Sequence, residues 1–239
     1  LEPNSMQVKF IENVMELYEN GENRALLISS TGTGKTYASA FALREILRKR
    51  EKETGRNVRA LFVVHREQIA KQALKSYKNV FGEKYSFGLL SGNSKDYNSD
   101  LLFSTMQMMA REDIMTKFNA NDFDIIIIDE VHRAGADSYQ RIMDYFMPRF
   151  WIGMTASPDR TDGYDIYGLF DHNIAYEIRL QQALEENLLC PFHYFGITDL
   201  EIDGETFDDE SGLRNFVKLV SDERVDSVSY THLTLPTKA

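Results

Sequence analysis

Short apolar runs alternate with stretches of helical periodicity along most of the chain. The apolar runs predict strands over residues 26–29, 60–64, 85–90, 101–103, 123–129 and 150–154. The helical stretches predict helices over residues 35–50, 68–77, 106–118 and 138–146. This alternation is typical of a parallel sheet covered by helices. The sequence therefore predicts an α/β fold with a central, mainly parallel sheet.

The run 123–129 contains four consecutive isoleucines. A strand that is apolar on both faces is typical of the middle of a parallel sheet, so we place this strand at the centre. Ligands of open parallel sheets bind beyond the carboxyl ends of the strands. Residues that directly follow the predicted strands are therefore the first candidates for a functional site.

The pattern weakens after residue 158. Residues 164–170 carry no clear periodicity, whereas 181–187 predict a helix and 192–197 predict a strand. The end of the chain, from residue 228, fits neither pattern. We therefore expect three parts: a first domain over 1–178, a segment leading towards a second domain over 179–225, and a disordered or non-native tail over 226–239.

Composition indicates the cellular compartment of the protein more clearly than its function. The net charge is −10, but residues 1–120 hold 18 Lys and Arg against 14 Asp and Glu, so the first half can present a basic face to nucleic acid. Cys190 has no second cysteine to pair with, which favours a reducing cytoplasm. The apolar runs are far shorter than the roughly 20 residues of a membrane-spanning helix. We expect a cytoplasmic protein without a membrane partner.

A glycine-rich segment, S-S-T-G-T-G-K-T at residues 29–36, joins the first predicted strand to the first predicted helix. Glycines at such a turn let backbone N–H groups face phosphate oxygens, and the start of the helix adds its positive dipole end. The spacing predicts a phosphate-binding loop for ATP, with Lys35 on the β and γ phosphates and Thr36 on Mg²⁺. The candidate ATP-binding residues are Ser30, Thr31, Gly32, Thr33, Gly34, Lys35 and Thr36. A dinucleotide-binding fingerprint is excluded because the third glycine is absent.

Asp129 and Glu130 end the isoleucine strand, 94 residues after Lys35. At the carboxyl edge of the sheet, an aspartate can hold the Mg²⁺ that Thr36 also contacts, and the adjacent glutamate can orient and deprotonate an attacking water. A strand that simply ends in acidic residues would explain an isolated pair equally well. Together with the phosphate loop, the pair predicts a nucleotide hydrolase.

Three segments resemble motifs of superfamily 2 helicases of the D-E-x-H type. S-S-T-G-T-G-K-T at 29–36 resembles motif I, D-E-V-H at 129–132 motif II, and M-T-A-S-P at 154–158 motif III. The segment V-V-H-R-E-Q-I-A-K-Q at 63–72 resembles motif Ia, S-G at 91–92 the motif Ib region, and F-S-T-M-Q at 103–107 the next nucleic-acid-contacting motif. The similarity covers about residues 5–180. Within the superfamily, M-T-A-S-P-D-R-T-D-G is most similar to helicase subunits of type I and type III restriction enzymes.

The resemblance implies a RecA-like domain that couples ATP hydrolysis to movement on DNA. It implies roles for Gln7 in reading adenine, for His132 in linking the ATP site to neighbouring motifs, and for Thr155 and Ser157 in coupling hydrolysis to strand movement. It also implies contacts with the nucleic-acid backbone from Arg66, Gln68, Thr105 and Gln107. Backbone contacts of this kind predict sequence-tolerant, salt-sensitive binding.

Helicases of this superfamily place ATP between two RecA-like domains, and the second domain supplies arginines. No arginine pair of the Q-x-x-G-R-x-x-R kind follows residue 158. We therefore expect a second RecA-like domain outside this sequence, with nuclease or restriction components as further partners. Because an arginine finger accelerates phosphoryl transfer by roughly 10³ to 10⁵, this chain alone should hydrolyse ATP very slowly.

Three other functions stay open at this point. An RNA helicase would carry the same motifs, because recognition of the two backbones differs mainly at the 2′-OH. A phosphate-loop kinase or unrelated ATPase would act on a small molecule, although the D-E-V-H and T-A-S-P segments argue against it. A non-catalytic interaction module could retain an ATP site without turnover.

Overall fold

The computed structural model describes residues 2–30, 32–133, 137–158, 165–179 and 183. Its seven strands are β1 (Arg24–Ser29), β2 (Ala60–Val64), β3 (Phe87–Leu90), β4 (Leu101–Thr105), β5 (Ile125–Ile128), β6 (Phe150–Thr155) and β7 (Ile174–Ile178). Its helices are α1 (Ser5–Glu19), α2 (Lys35–Thr54), α3 (Glu67–Phe81), α4 (Met106–Met109), α5 (Glu112–Met115), α6 (Asp137–Tyr145) and α7 (Ile166–Leu169), with a short 3₁₀ turn at Val131–Arg133.

All seven strands join one sheet in the order β3-β4-β2-β5-β6-β1-β7, and every neighbouring pair is parallel. The isoleucine strand β5 occupies the middle of this order, as its two-sided apolar character predicts. Its side chains alternate between two cores: Ile125 and Ile127 pack on one face, and Ile126 and Ile128 on the other. The parallel arrangement brings the ends of β1, β2, β4, β5 and β6 to the same edge.

Helices cover both faces of the sheet. Helices α1, α2 and α3 contribute to the core that contains Phe10, Leu43 and Tyr77, whereas α4 to α7 contribute to the core that contains Met109, Ile142 and Phe170. Each fully buried large apolar side chain contributes roughly 1.5–3 kcal/mol relative to exposure. The two cores therefore fix the positions of the loops at the carboxyl edge.

The predicted strands agree with the structure to within a few residues, but helix α1 was not predicted, and three further helical or strand assignments need correction. The region predicted as one helix over 106–118 contains two short helices, α4 and α5. Between them, Arg111 has an extended backbone (φ −72°, ψ 130°), which interrupts the helix and serves as the N-cap of α5. The weak pattern of 164–170 contains α7. Strand β7 was not predicted, and it adds a seventh strand beside β1.

Several sequence predictions lie outside the described residues. These are the helix over 181–187 apart from residue 183, the strand over 192–197, the segment 179–225 apart from residues 179 and 183, and the tail 226–239. The domain boundary at residue 178 therefore stays a prediction. Among the described helices, none is both long and apolar enough to cross a membrane.

Candidate nucleotide-binding site

The phosphate loop follows β1 and ends at Gly34, which precedes the first residue of α2. Gly32 and Gly34 both have left-handed backbones, with φ of 84° and 92°, which side chains rarely adopt. The Thr33 hydroxyl lies 2.5 Å from the Ser29 hydroxyl and donates to the Ser30 carbonyl at 2.8 Å, so it braces the loop from inside. Thr31 lies outside the described residues.

Gln7 holds this loop against the start of α1. Its Oε1 accepts from the Asn4 N–H at 2.9 Å, and its Nε2 donates to the Gly34 carbonyl at 3.2 Å. A Cβ at position 34 would lie 2.8 Å from Nε2, so a side chain there would displace this amide. Gln7 is buried and lies outside the set of residues that line the nearby cavity. The structure thus gives it a bracing position beneath the loop, and reading of adenine stays a prediction.

The Lys35 ammonium folds back onto the phosphate loop. Nζ donates to the Ser29 carbonyl at 2.6 Å and to the Ser30 carbonyl at 3.0 Å. Burial lowers the pKa of Lys35, while the carboxylates of Asp129 and Glu130 act in the opposite direction. Lys35, Asp129 and Glu130 also line the same cavity, so the phosphate loop and the acidic pair share one local environment.

Asp129 and Glu130 directly follow β5. The Asp129 N–H donates to the Val63 carbonyl of β2 at 2.9 Å, and Asp129 Oδ1 accepts from the Glu130 N–H at 2.9 Å. Burial raises the pKa of Asp129, whereas this backbone hydrogen bond and Lys35 lower it. Glu130 has a left-handed backbone, with φ of 53°, which is uncommon for a residue with a side chain. Strained backbones of this kind occur preferentially at functional sites.

A cavity of about 510 Å³ joins the two motifs. Its lining includes the glycines and Lys35 and Thr36 from the phosphate loop and α2, and the acidic pair from the end of β5. Its other walls come from the 3₁₀ turn, the end of β6, and helix α3. The lining residues are Gly32, Gly34, Lys35, Thr36, Tyr37, Ile69, Gln72, Ala73, Ser76, Asp129, Glu130, His132, Thr155, Ala156 and Ser157.

His132 connects the acidic segment to the end of β6. Its Nδ1 lies 3.1 Å from the Thr155 hydroxyl, and that hydroxyl also accepts from the Ser157 N–H at 3.1 Å. Thr155 is buried, so this hydroxyl has a fixed position. The three residues that the sequence assigned to linking and coupling therefore form one hydrogen-bonded group at the floor of the cavity.

The residues expected to contact nucleic acid lie at the ends of β2 and β4, outside the cavity lining. These strands are neighbours, with Val64 opposite Thr105, so the two segments lie side by side. Gln107 and His65 are 3.1 Å apart, Nε2 to Nδ1, which joins the two strand ends directly. Arg66, Gln68 and Gln107 are exposed, and the Thr105 hydroxyl caps α4 by accepting from the Met108 N–H at 3.3 Å.

Sequence reasoning missed the wall that α3 contributes. Ile69, Gln72, Ala73 and Ser76 all line the cavity. Their spacing of three, four and seven residues puts them on one face of the helix. This spacing is visible in the sequence. The sequence does not show that this face of α3 lines the cavity, because that depends on how α3 packs beside α2.

The family described as type III restriction enzyme, res subunit, matches residues 1–160. The type I restriction enzyme EcoAI endonuclease subunit of Escherichia coli is 27% identical over 230 residues, which cover 93% of this chain and 27% of that protein. This chain therefore spans about a quarter of that relative's length.

Solved structures show the same fold. A nuclease-deletion mutant of the Type ISP restriction-modification enzyme LlaGI, in complex with a DNA substrate mimic, aligns with a TM-score of 0.60 at 16% identity, over 96% of this chain and 24% of that one. The Sulfolobus solfataricus SWI2/SNF2 ATPase core in complex with dsDNA aligns with a TM-score of 0.56 at 15% identity, over 71% of this chain and 35% of that one. The fold is thus RecA-like, with a parallel sheet between two layers of helices. Because the family match covers well over half of the sequence, the chain belongs to the type III restriction enzyme res subunit family.

Proposed function

We propose that this chain is the ATP-binding motor domain of a DNA helicase or translocase. The observation that carries the proposal is the shared cavity, in which Lys35 and Thr36 of the phosphate loop meet Asp129 and Glu130. A site with a lysine, a hydroxyl and two carboxylates has the groups that phosphoryl transfer from ATP requires. Family membership supports the same activity.

The donor set fits Mg²⁺. Mg²⁺ binds oxygen ligands and usually takes one or two carboxylates from the protein, with the remainder from substrate phosphates and water. Thr36 and Asp129 supply a hydroxyl and a carboxylate in one cavity, and the described residues contain no group of three or more His, Cys, Asp or Glu that could form a complete protein cage. When bound, Mg²⁺ would neutralise part of the charge of the β and γ phosphates.

Four residues of the cavity then have distinct tasks. Backbone N–H groups of Gly32 and Gly34 would bind phosphate oxygens, and the Lys35 ammonium would exchange its two carbonyl partners for the β and γ phosphates. Glu130 would orient the attacking water and accept its proton. The exchange by Lys35 is favourable because a phosphate oxygen carries negative charge, whereas a carbonyl oxygen is neutral.

The nucleic-acid partner is proposed to be DNA, bound at the ends of β2 and β4 through Arg66, Gln68, Thr105 and Gln107. Two structures of the same fold were solved with DNA or a DNA mimic, which supports this choice. His132, Thr155 and Ser157 would transmit the state of the nucleotide to this edge. A second RecA-like domain would complete the ATP cleft in the longer protein, with nuclease components as further partners.

The proposal is tested by ATP binding to the wild-type chain and to Lys35→Ala. We expect the variant to lose most of its affinity, because removal of the ammonium removes the main positive charge of the cavity. Thr54→Ala, at the far end of α2, is the matched control. An unchanged affinity of Lys35→Ala for ATP would exclude the site. Competition with matched DNA and RNA strands then separates a DNA motor from an RNA motor.

A further inference from the structure

Helix α3 forms one wall of the cavity that the phosphate loop and the acidic pair share. It begins three residues after Val64, the end of β2, and β2 is the direct neighbour of β5 in the sheet. The hydrogen bond from the Asp129 N–H to the Val63 carbonyl holds these two strand ends together. The phosphate loop follows β1, which is separated from β5 by β6. In this strand order, a triphosphate that extends from the phosphate loop towards the acidic pair would point its terminal phosphate towards the β2 side of the sheet, where α3 begins.

Among the α3 residues that line the cavity, Gln72 has the polar side chain that forms no hydrogen bond with another described residue. Ile69 and Ala73 are apolar, and Ser76 and Asn79 engage the Tyr37 hydroxyl, with Asn79 Nδ2 at 3.3 Å. The Gln72 amide has no hydrogen-bond partner among the described residues, and the side chain is exposed to the cavity that it lines. An amide offers two N–H donors and a carbonyl acceptor, which suits a phosphate oxygen or a water bound to it.

We propose that Gln72 is a specificity-determining residue that distinguishes ATP from ADP by donating a hydrogen bond to the γ-phosphate. The inference rests on the proposed nucleotide function of the cavity and adds a contact on α3 to it. ADP ends at the β-phosphate, which Lys35 and the glycine loop hold, so ADP does not reach this amide. The ratio of the two affinities is then the property that Gln72 controls.

The position of Gln72 has a mechanical consequence. Helix α3 is continuous from Glu67 to Phe81, and its N-cap is Arg66, at the edge proposed to bind DNA. A contact at Gln72 is thus less than two helical turns from that edge on one rigid element. A γ-phosphate bound to Gln72 would therefore contact the same helix that carries Gln68 and has Arg66 as its N-cap.

The test compares Gln72→Ala and Gln72→Glu with wild type in the full 239-residue chain. The Kd values for ADP and for a non-hydrolysable ATP analogue are measured with Mg²⁺ by calorimetry, so the readout is independent of turnover. Lys71→Ala is the matched control, because the exposed Lys71 side chain pairs with Glu67 and is not among the residues that line the cavity. Thermal unfolding of each variant checks that the fold is retained.

We expect Gln72→Ala to weaken binding of the ATP analogue about 10-fold and to leave ADP within about twofold, because only the analogue loses a charge-assisted hydrogen bond. Gln72→Glu should weaken the analogue further, since its carboxylate repels the γ-phosphate. Equal effects on both nucleotides, or no effect on either, would overturn the role of Gln72. Loss of both nucleotides in Lys35→Ala would still support the proposed function, so the two conclusions fail separately.

Discussion

His132 and Thr155 are joined by a hydrogen bond of 3.1 Å between Nδ1 and Oγ1, and this bond connects the loop after β5 to the end of β6. The same Thr155 hydroxyl accepts from the Ser157 N–H, so one buried oxygen serves two segments of the cavity floor. A buried oxygen with two hydrogen-bond partners holds both segments in a fixed relation.

Replacement of Thr155 by valine should destabilise the chain. Thr155→Val keeps the shape of the side chain but leaves the Ser157 N–H and the His132 ring without this partner. We expect the free energy of unfolding to fall by about 1–2 kcal/mol, as measured by urea denaturation. His132→Ala should have a smaller effect because the ring is only half-buried. If the losses in free energy of unfolding of Thr155→Val and His132→Ala simply add in the double variant, the hydrogen bond between the two residues does not contribute to stability.

Asp129→Asn should make the unliganded chain more stable while it removes metal-dependent nucleotide binding. Burial raises the pKa of Asp129, so the ionised carboxylate is unfavourable in the folded state at neutral pH. Asparagine removes that charge and keeps an oxygen for the Glu130 N–H. We expect a higher Tm at pH 7 without nucleotide, and we expect Mg²⁺ and ATP to raise the Tm of wild type but not that of the variant. A lower Tm without nucleotide would show that the contacts of the Asp129 carboxylate with the Glu130 N–H and Lys35 outweigh the cost of burying its charge.

Asp124 should be far more important for stability than an exposed aspartate with a similar partner. Its carboxylate is 2% exposed, accepts from Arg50 at 3.1 Å and Arg56 at 2.7 Å, and joins α2 to the start of β5. Asp124→Ala should lower the free energy of unfolding by roughly 2–4 kcal/mol, because the buried end of this ion pair is lost. Asp113→Ala removes an exposed pair with Arg111 and should leave Tm unchanged. Equal effects of the two substitutions would show that burial of Asp124 is irrelevant.

The isolated chain should bind ATP but hydrolyse it very slowly. The described lining residues of the cavity include one cation, Lys35, and no arginine. An arginine finger contributes roughly 10³ to 10⁵ to phosphoryl transfer, so turnover by this chain should fall short of ordinary enzyme rates by a comparable factor. The measurement is steady-state phosphate release with and without DNA. DNA-stimulated turnover at about 1 s⁻¹ or faster would contradict this expectation.

The sequence predicted most of the sheet because its strands carry strong local signals. Residues 60–64 and the four isoleucines of β5 are apolar on both faces, and their position in the sheet follows from that character alone. Strand β7 has only a short, half-buried pattern, and it forms because β1 offers it an edge. The break at Arg111 likewise depends on local backbone geometry that apolar periodicity does not report.

The site was predictable where function places fixed residue types directly after strands. Lys35, Thr36, Asp129 and Glu130 were predicted as candidates in this way, and the structure brings them to one cavity. Gln72 was not singled out, because its importance depends on the packing of α3 beside α2. The bond from Gln7 to the Gly34 carbonyl was also beyond the sequence, since it joins two segments 27 residues apart.

The central claim is that the phosphate loop and the acidic pair bind a single Mg²⁺–triphosphate. A crystal structure of this chain with Mg²⁺ and a non-hydrolysable ATP analogue tests it most directly. We expect one metal ion in contact with the Thr36 hydroxyl and with Asp129, either directly or through one water, and the Lys35 ammonium on the phosphates. A nucleotide bound elsewhere, or a metal ion that contacts only one of these two segments, would contradict the claim.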